Sequence, residues 1–101
     1  MIEALDGPSK PFVVTINNST PVEVKSSTEA LEERKVITMQ GDGKFYVYFA
    51  DDGETPSSSD VSTKGFIQYK NAKESYEAAS SQKVFILSVS SSVIVRIAER
   101  A

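Results

Sequence analysis

Val36-Ile37-Thr38-Met39-Gln40, then Gly41-Asp42-Gly43, then Lys44-Phe45-Tyr46-Val47-Tyr48-Phe49, is the stretch whose reading decides the fold. β-Branched and aromatic residues flank an Asp-Gly pair, the strongest short-range signature of a hairpin. The reading is antiparallel β. Side chains alternate faces along a strand, so Ile37 and Met39 share one face, Phe45, Val47 and Phe49 share another, and Tyr46 and Tyr48 point outward. Nothing in the run has the chemistry of a nucleophile, a base or a metal shell.

The rest of the chain keeps this character. At 101 residues it forms one domain with one core. Valine and isoleucine outnumber leucine, serine is the commonest residue and tryptophan is absent, a profile of short strands joined by polar turns. Cysteine and histidine are also absent, which excludes disulfides, zinc fingers, Cys/His nucleophile pairs and a Ser-His-Asp triad. A net charge of -3 with interspersed lysines leaves no basic stripe for nucleic acid. The start of the chain has early acids and no apolar signal core, and no run approaches the roughly 18 apolar residues of a membrane span. The expectation is a protein made in a cytoplasm and soluble there until it meets its partners.

Residues 1–11 carry Gly7, Pro8 and Pro11 without sustained periodicity, so they read as an extended arm that needs a neighbour, ahead of a β-sandwich domain over 12–101. Strands are expected at 12–16, 21–26, 36–40, 44–49, 65–69, 74–78, 84–88 and 93–98. Residues 28–33 read as a single helical turn capped by Ser27 or Thr28, with favourable acids at its start. Residues 70–81 have good helical propensity as well, and the resemblance named below is what favours a strand there. Residues 51–60 are the most polar stretch and read as a long, exposed, mobile loop. Eight short strands at regular spacing are the sign of a sandwich or small barrel.

Asp42, Asp51, Asp52, Glu54 and Asp60 invite a calcium or glycosidase reading, yet their spacing fits no known ion loop, and solvated turn residues explain them. Ser57-Ser58-Ser59 and Ser90-Ser91-Ser92 lack the elbow or the Ser-x-x-Lys helix that positions a nucleophile. Tyr46 and Tyr48, with Tyr69 and Ile94 on other outward positions, suit a protein interface; sugar stacking is the weaker reading.

The order of segments resembles the small β-sandwich virion proteins of tailed bacteriophages, which serve as capsid decoration or cement proteins and in necks and spikes. The matching stretches are Val13-Val14-Thr15-Ile16-Asn17-Asn18-Ser19-Thr20-Pro21-Val22, then Arg34 leading into 35–40, and the aromatic strand 44–49. Gly65-Phe66, Glu74-Ser75-Tyr76-Glu77, Val84-Phe85-Ile86-Leu87-Ser88 and Val93-Ile94-Val95-Arg96-Ile97-Ala98-Glu99 complete the pattern over residues 12–99. The resemblance implies a structural virion component without catalysis or cofactor, working as a homo-oligomer, with a trimer favoured. Its partner would be the major capsid protein or another virion protein. A neck, vertex-spike or tail position, or a carbohydrate- or receptor-binding module, is the alternative.

The sequence thus predicts an all-β, jelly-roll-like sandwich of eight strands that binds neither nucleic acid nor membrane. Its expected core is Val14, Ile16, Ile37, Met39, Phe45, Val47, Phe49, Phe85, Leu87, Val95 and Ile97. Its expected interface is Ile2, Leu5, Pro8, Pro11, Tyr46, Tyr48, Tyr69 and Ile94.

Overall fold

The computed structural model describes residues 9–101. Its strands are β1 (Ser9–Ile16), β2 (Val22–Glu23), β3 (Val36–Gly41), β4 (Phe45–Phe49), β5 (Phe66–Gln68), β6 (Lys73–Glu77), β7 (Val84–Ser88) and β8 (Val93–Arg100). One helix, α1 (Ser58–Lys64), lies between β4 and β5. Two four-stranded antiparallel sheets result: sheet I in the order β1-β8-β3-β6 and sheet II in the order β2-β7-β4-β5. Every connection crosses from one sheet to the other except β4 to β5. This is the double-sheet jelly roll, or double-stranded β-helix.

The stretch that fixes the class does not make a hairpin. β3 pairs with β8 and β6, whereas β4 pairs with β7 and β5, so the Gly41–Lys44 connection turns a corner between the sheets. A two-residue hairpin of the expected type needs positive φ at both central residues, and neither Asp42 nor Gly43 has it. Asp42 instead prolongs the pairing of β3 with β8. Its N–H donates to the Ile94 carbonyl at 3.1 Å, and its Oδ1 accepts from the Ile94 N–H at 2.9 Å. The glycines serve close packing at this corner: a Cβ on Gly41 would sit 2.8 Å from the Phe45 ring, and one on Gly43 would sit 2.9 Å from Val93.

The alternation of faces holds. Ile37, Met39, Phe45, Val47, Ile16, Val95 and Ile97 are buried between the sheets, joined by Val24, Val84, Ile86 and Val93, with Val14 and Phe49 half-buried against them. Phe85 and Leu87 are buried too, but outside this core. On β7 the inward positions are Val84 and Ile86, opposite Phe49 and Val47. Phe85 and Leu87 face the other way and form a second cluster with Ala50 and Val61, against which Tyr46 and Tyr48 pack.

That cluster exists because residues 51–60 are not a loose loop. Ser57 and Asp60 form a capping box: Ser57 Oγ accepts from the Asp60 N–H at 3.1 Å, and Asp60 Oδ2 accepts from the Ser57 N–H at 3.0 Å. The box starts α1, which puts Val61 against sheet II, and Pro56 is buried beside it. Gly65 then lets the chain pass from helix to strand, since a Cβ there would meet the Val61 and Val47 carbonyl oxygens at 2.6 and 2.8 Å.

The expected helical turn at 28–33 does not form. Glu33 takes a positive φ of 59°, the Arg34 N–H donates to the Leu31 carbonyl at 3.0 Å, and the chain dives inward. Within residues 70–81 the strand β6 (Lys73–Glu77) forms, in register with β3, and no helix. β1 starts at Ser9 and pairs with β8 through Pro11, so Pro11 belongs to an edge strand of sheet I and not to an arm. An edge position suits a residue that lacks an N–H donor.

Candidate interaction surfaces

Of the residues expected at an interface, the five that are described, Pro11, Tyr46, Tyr48, Tyr69 and Ile94, do not converge on one surface. Ile2, Leu5 and Pro8 lie outside the described residues. Tyr46 and Tyr48 do point away from the core, but α1 and its preceding loop cover that face, leaving both half-buried. The Tyr48 hydroxyl donates to both Glu54 carboxylate oxygens, at 2.9 and 2.8 Å, and Glu54 Oε1 also accepts the Asp51 N–H at 2.8 Å. The hydrogen bond to Glu54, then burial and the surrounding acids, push the Tyr48 phenol up to about 12. Glu54 is therefore a latch on the loop. Asp60 caps α1, and the hydrogen bonds from Ser57 hold its carboxyl below the usual range. Asp42 pins the corner to β8.

Pro11 and Ile94 do share a surface, the outer face of sheet I. The strand registers lay this face out in rows: Pro11, Ala98, Thr38 and Ser75; then Val13, Arg96, Gln40 and Lys73; then Thr15 and Ile94. Val13 is 60% exposed and Ile94 43%, and no element among the described residues covers them. A shallow trough of about 230 Å³ runs over the small Ala98, walled by Pro11, Thr38, Arg96 and Lys73. Such a sheet face offers apolar contact with two cations and an amide for orientation.

Tyr69 belongs to a second surface, the free edge of sheet II at β5. Phe66, Ile67 and Tyr69 are 53%, 41% and 64% exposed and, with Val13 and Ile94, are the large exposed apolar side chains among the described residues. Phe66 packs edge-on against Phe49 with ring centres 5.8 Å apart, and Phe49 packs edge-on against Tyr76 at 5.9 Å. Between them Gln68 is buried and joins the sheets. Its amide nitrogen donates to the Met39 and Ala72 carbonyls at 2.7 and 2.9 Å, and its oxygen accepts the Tyr76 hydroxyl at 2.9 Å. Phe66, Ile67 and Val13 are not evident from sequence as a surface, because outward apolar residues on separate strands carry no local mark.

At the end of the sandwich that holds the chain's last residues, Arg34 is 2% exposed and Glu99 is fully buried. Arg34 Nη1 lies 2.7 Å from Glu99 Oε2. The guanidinium also donates to the carbonyls of Val24, Ala78, Ala79 and Gln82, while Glu99 accepts from the Ser26 and Leu31 N–H groups. Burial pushes the Glu99 carboxyl up, but the bonds from Ser26, Arg34 and Leu31 outweigh it and hold the group below its ordinary value. Every polar atom of the pair is used, so it acts as a staple for the loops at this end.

No family model matches the chain, and no curated protein matches it. Among solved structures it is similar to a de novo designed double-stranded β-helix, at 17% identity and a TM-score of 0.57, over 88% of this chain and 96% of that one. The fold is thereby shown. The chain is also similar to tobacco streak virus coat protein (12% identity, TM-score 0.48, 97% of this chain and 91% of that one). A third similarity is to Drosophila melanogaster CENP-C bound to CAL1 (12% identity, TM-score 0.48, 91% of this chain and 64% of that one). Similarity at that level carries no functional argument.

Proposed function

We propose that this chain is a structural virion protein of a tailed bacteriophage, a capsid decoration or cement protein that grips the shell through protein–protein contacts. It acts by binding and not by catalysis, as a homo-oligomer, with a trimer favoured by the resemblance to virion decoration proteins. The major capsid protein is the partner.

The observation that carries this reading is the open outer face of sheet I. Val13 and Ile94 stand exposed on a regular strand surface beside the Ala98 trough, whereas the opposite face of the sandwich is covered by the protein's own helix. An exposed apolar area of this kind is what a docking surface provides. The segment order over residues 12–99 supports the virion setting. A jelly roll by itself does not choose it, because viral capsid domains, lectins and cupins share the architecture.

Mass spectrometry of purified particles tests the placement. A copy number comparable with that of the shell protein is expected; a handful of copies would move the protein to the neck, vertex or tail, and its absence from particles would end the reading. Val13→Lys with Ile94→Lys should leave a folded protein that no longer attaches.

A further inference from the structure

We infer that the free edge of β5 is a strand-capture site, and that its occupant is an apolar strand of a partner protein bracketed by carboxylates. The inference stands on the edge itself and does not depend on a virion setting. A sheet edge presents unpaired backbone groups, and proteins blunt such edges with proline, inward or flanking charge, or cover. The other edges here follow that rule: β1 carries Lys10 and Pro11, β6 carries Lys73, Glu74 and Glu77, and β2 is only two residues long with Glu23 in it. β5 has no proline, no charge within the strand and no cover among the described residues. Its protection is its three-residue length and the flanking Lys64 and Lys70, and its run Phe66-Ile67-Gln68-Tyr69 exposes all three large apolar side chains.

The edge is also firmly held. Gly65 seats the strand against Val47, and buried Gln68 ties it to Met39 in the facing sheet, so an arriving strand meets a formed template. Strand addition of this kind takes affinity from main-chain hydrogen bonds and selectivity from side-chain contacts. Ile67 offers apolar contact on the outer face and Phe66, backed by Phe49, on the inner one.

Charge chooses the occupant. Lys64 and Lys70 stand three places before and after Ile67. Lys64 ends α1 and Lys70 lies in the turn after β5, so a second copy of β5 paired antiparallel about Ile67 would gather lysines at both ends of the pair, which like-charge repulsion disfavours. A strand with acidic residues at its two ends meets both lysines with the right sign.

Two measurements on the full chain test this. Amide NMR spectra are followed while a short valine- and threonine-rich peptide with glutamate at each end is added, with a lysine-ended peptide as control. Shifts confined to residues 65–70, with about tenfold weaker binding of the control, are expected. Absence of those shifts at millimolar peptide, or equal binding of both peptides, overturns the proposal. In the second, Lys64→Glu makes the edge self-complementary. Light scattering should then show twice the mass of the unmodified protein, reversed by adding Ile67→Lys, while circular dichroism stays that of the parent. An unchanged mass overturns the assignment of charge as the selector.

Discussion

The two outer faces of the sandwich start from similar material and end differently. Sheet II carries Tyr46, Tyr48, Phe85 and Leu87 outward, and sheet I carries Val13, Ile94, Ala98 and Pro11 outward. The first set is covered because the one connection that stays within a sheet, β4 to β5, is long enough to hold a capped helix that lays Val61 on it. The second set has no such connection above it among the described residues. An apolar outer face is thus interior on one side of this protein and docking surface on the other, and the difference is decided by a neighbouring segment and not by the strands.

The largest effect tests the part both faces share. Arg34→Leu should destabilise the protein by about 3–5 kcal/mol in chemical denaturation, because Glu99 would be left buried without its cation. Arg34→Leu combined with Glu99→Leu should recover most of that loss. If the single variant unfolded near the parent midpoint, the staple would be dispensable.

Next comes the contrast between the faces. Leu87→Ala, beneath α1, should cost about 2–5 kcal/mol, whereas Ile94→Ala, on the open face, should stay within about 0.5 kcal/mol of the parent. Equal effects would remove the distinction drawn above. Ser57→Ala should cost about 1 kcal/mol by removing the cap and should loosen the cover first, which hydrogen exchange at Val61 would report. Asp60 adds a pH dependence. Its carboxyl lies below the usual range, so its contribution is present above the ordinary carboxylate pKa and fades as pH falls through the lowered value.

The smallest effect is spectroscopic. One of the four tyrosines should titrate at about 12 in an ultraviolet titration, and Glu54→Gln should return it toward the ordinary range. The sign follows from the raised value: the Tyr48–Glu54 latch holds below the usual tyrosine pKa and is lost as pH rises through about 12. An unchanged titration in Glu54→Gln would show that the latch is not made.

Much of this was legible, though unevenly. Period-2 alternation placed Ile37, Met39, Phe45 and Val47 inside, while β6 lies in a segment with competing helical propensity where only the resemblance favoured a strand. It also read Asp42-Gly43 as a hairpin, because the turn signal is local and the competing pull of β8 on Asp42 is not. The start of α1 was available: Ser57 followed by Asp60 is a capping-box spacing, hidden by the polarity of 51–60. The open face of sheet I was half seen in Pro11 and Ile94, while Val13 needed the register of β1 on β8 to join them.

The sequence by itself determined the β class, the number of strands and, where apolar and polar residues alternate as in β3, β4 and β8, the side that turns inward, since those depend on residues two apart. The unbroken apolar run of β7 left its inward side, Val84 and Ile86 and not the expected Phe85 and Leu87, to the tertiary structure. The tertiary structure decided which strands pair, which outward face is covered and that Arg34 meets Glu99 across 65 positions of chain. Alternation says which way a side chain points but not what it will meet. Pairing is chosen by the packing of the whole chain, where distant segments compete for the same strand edge.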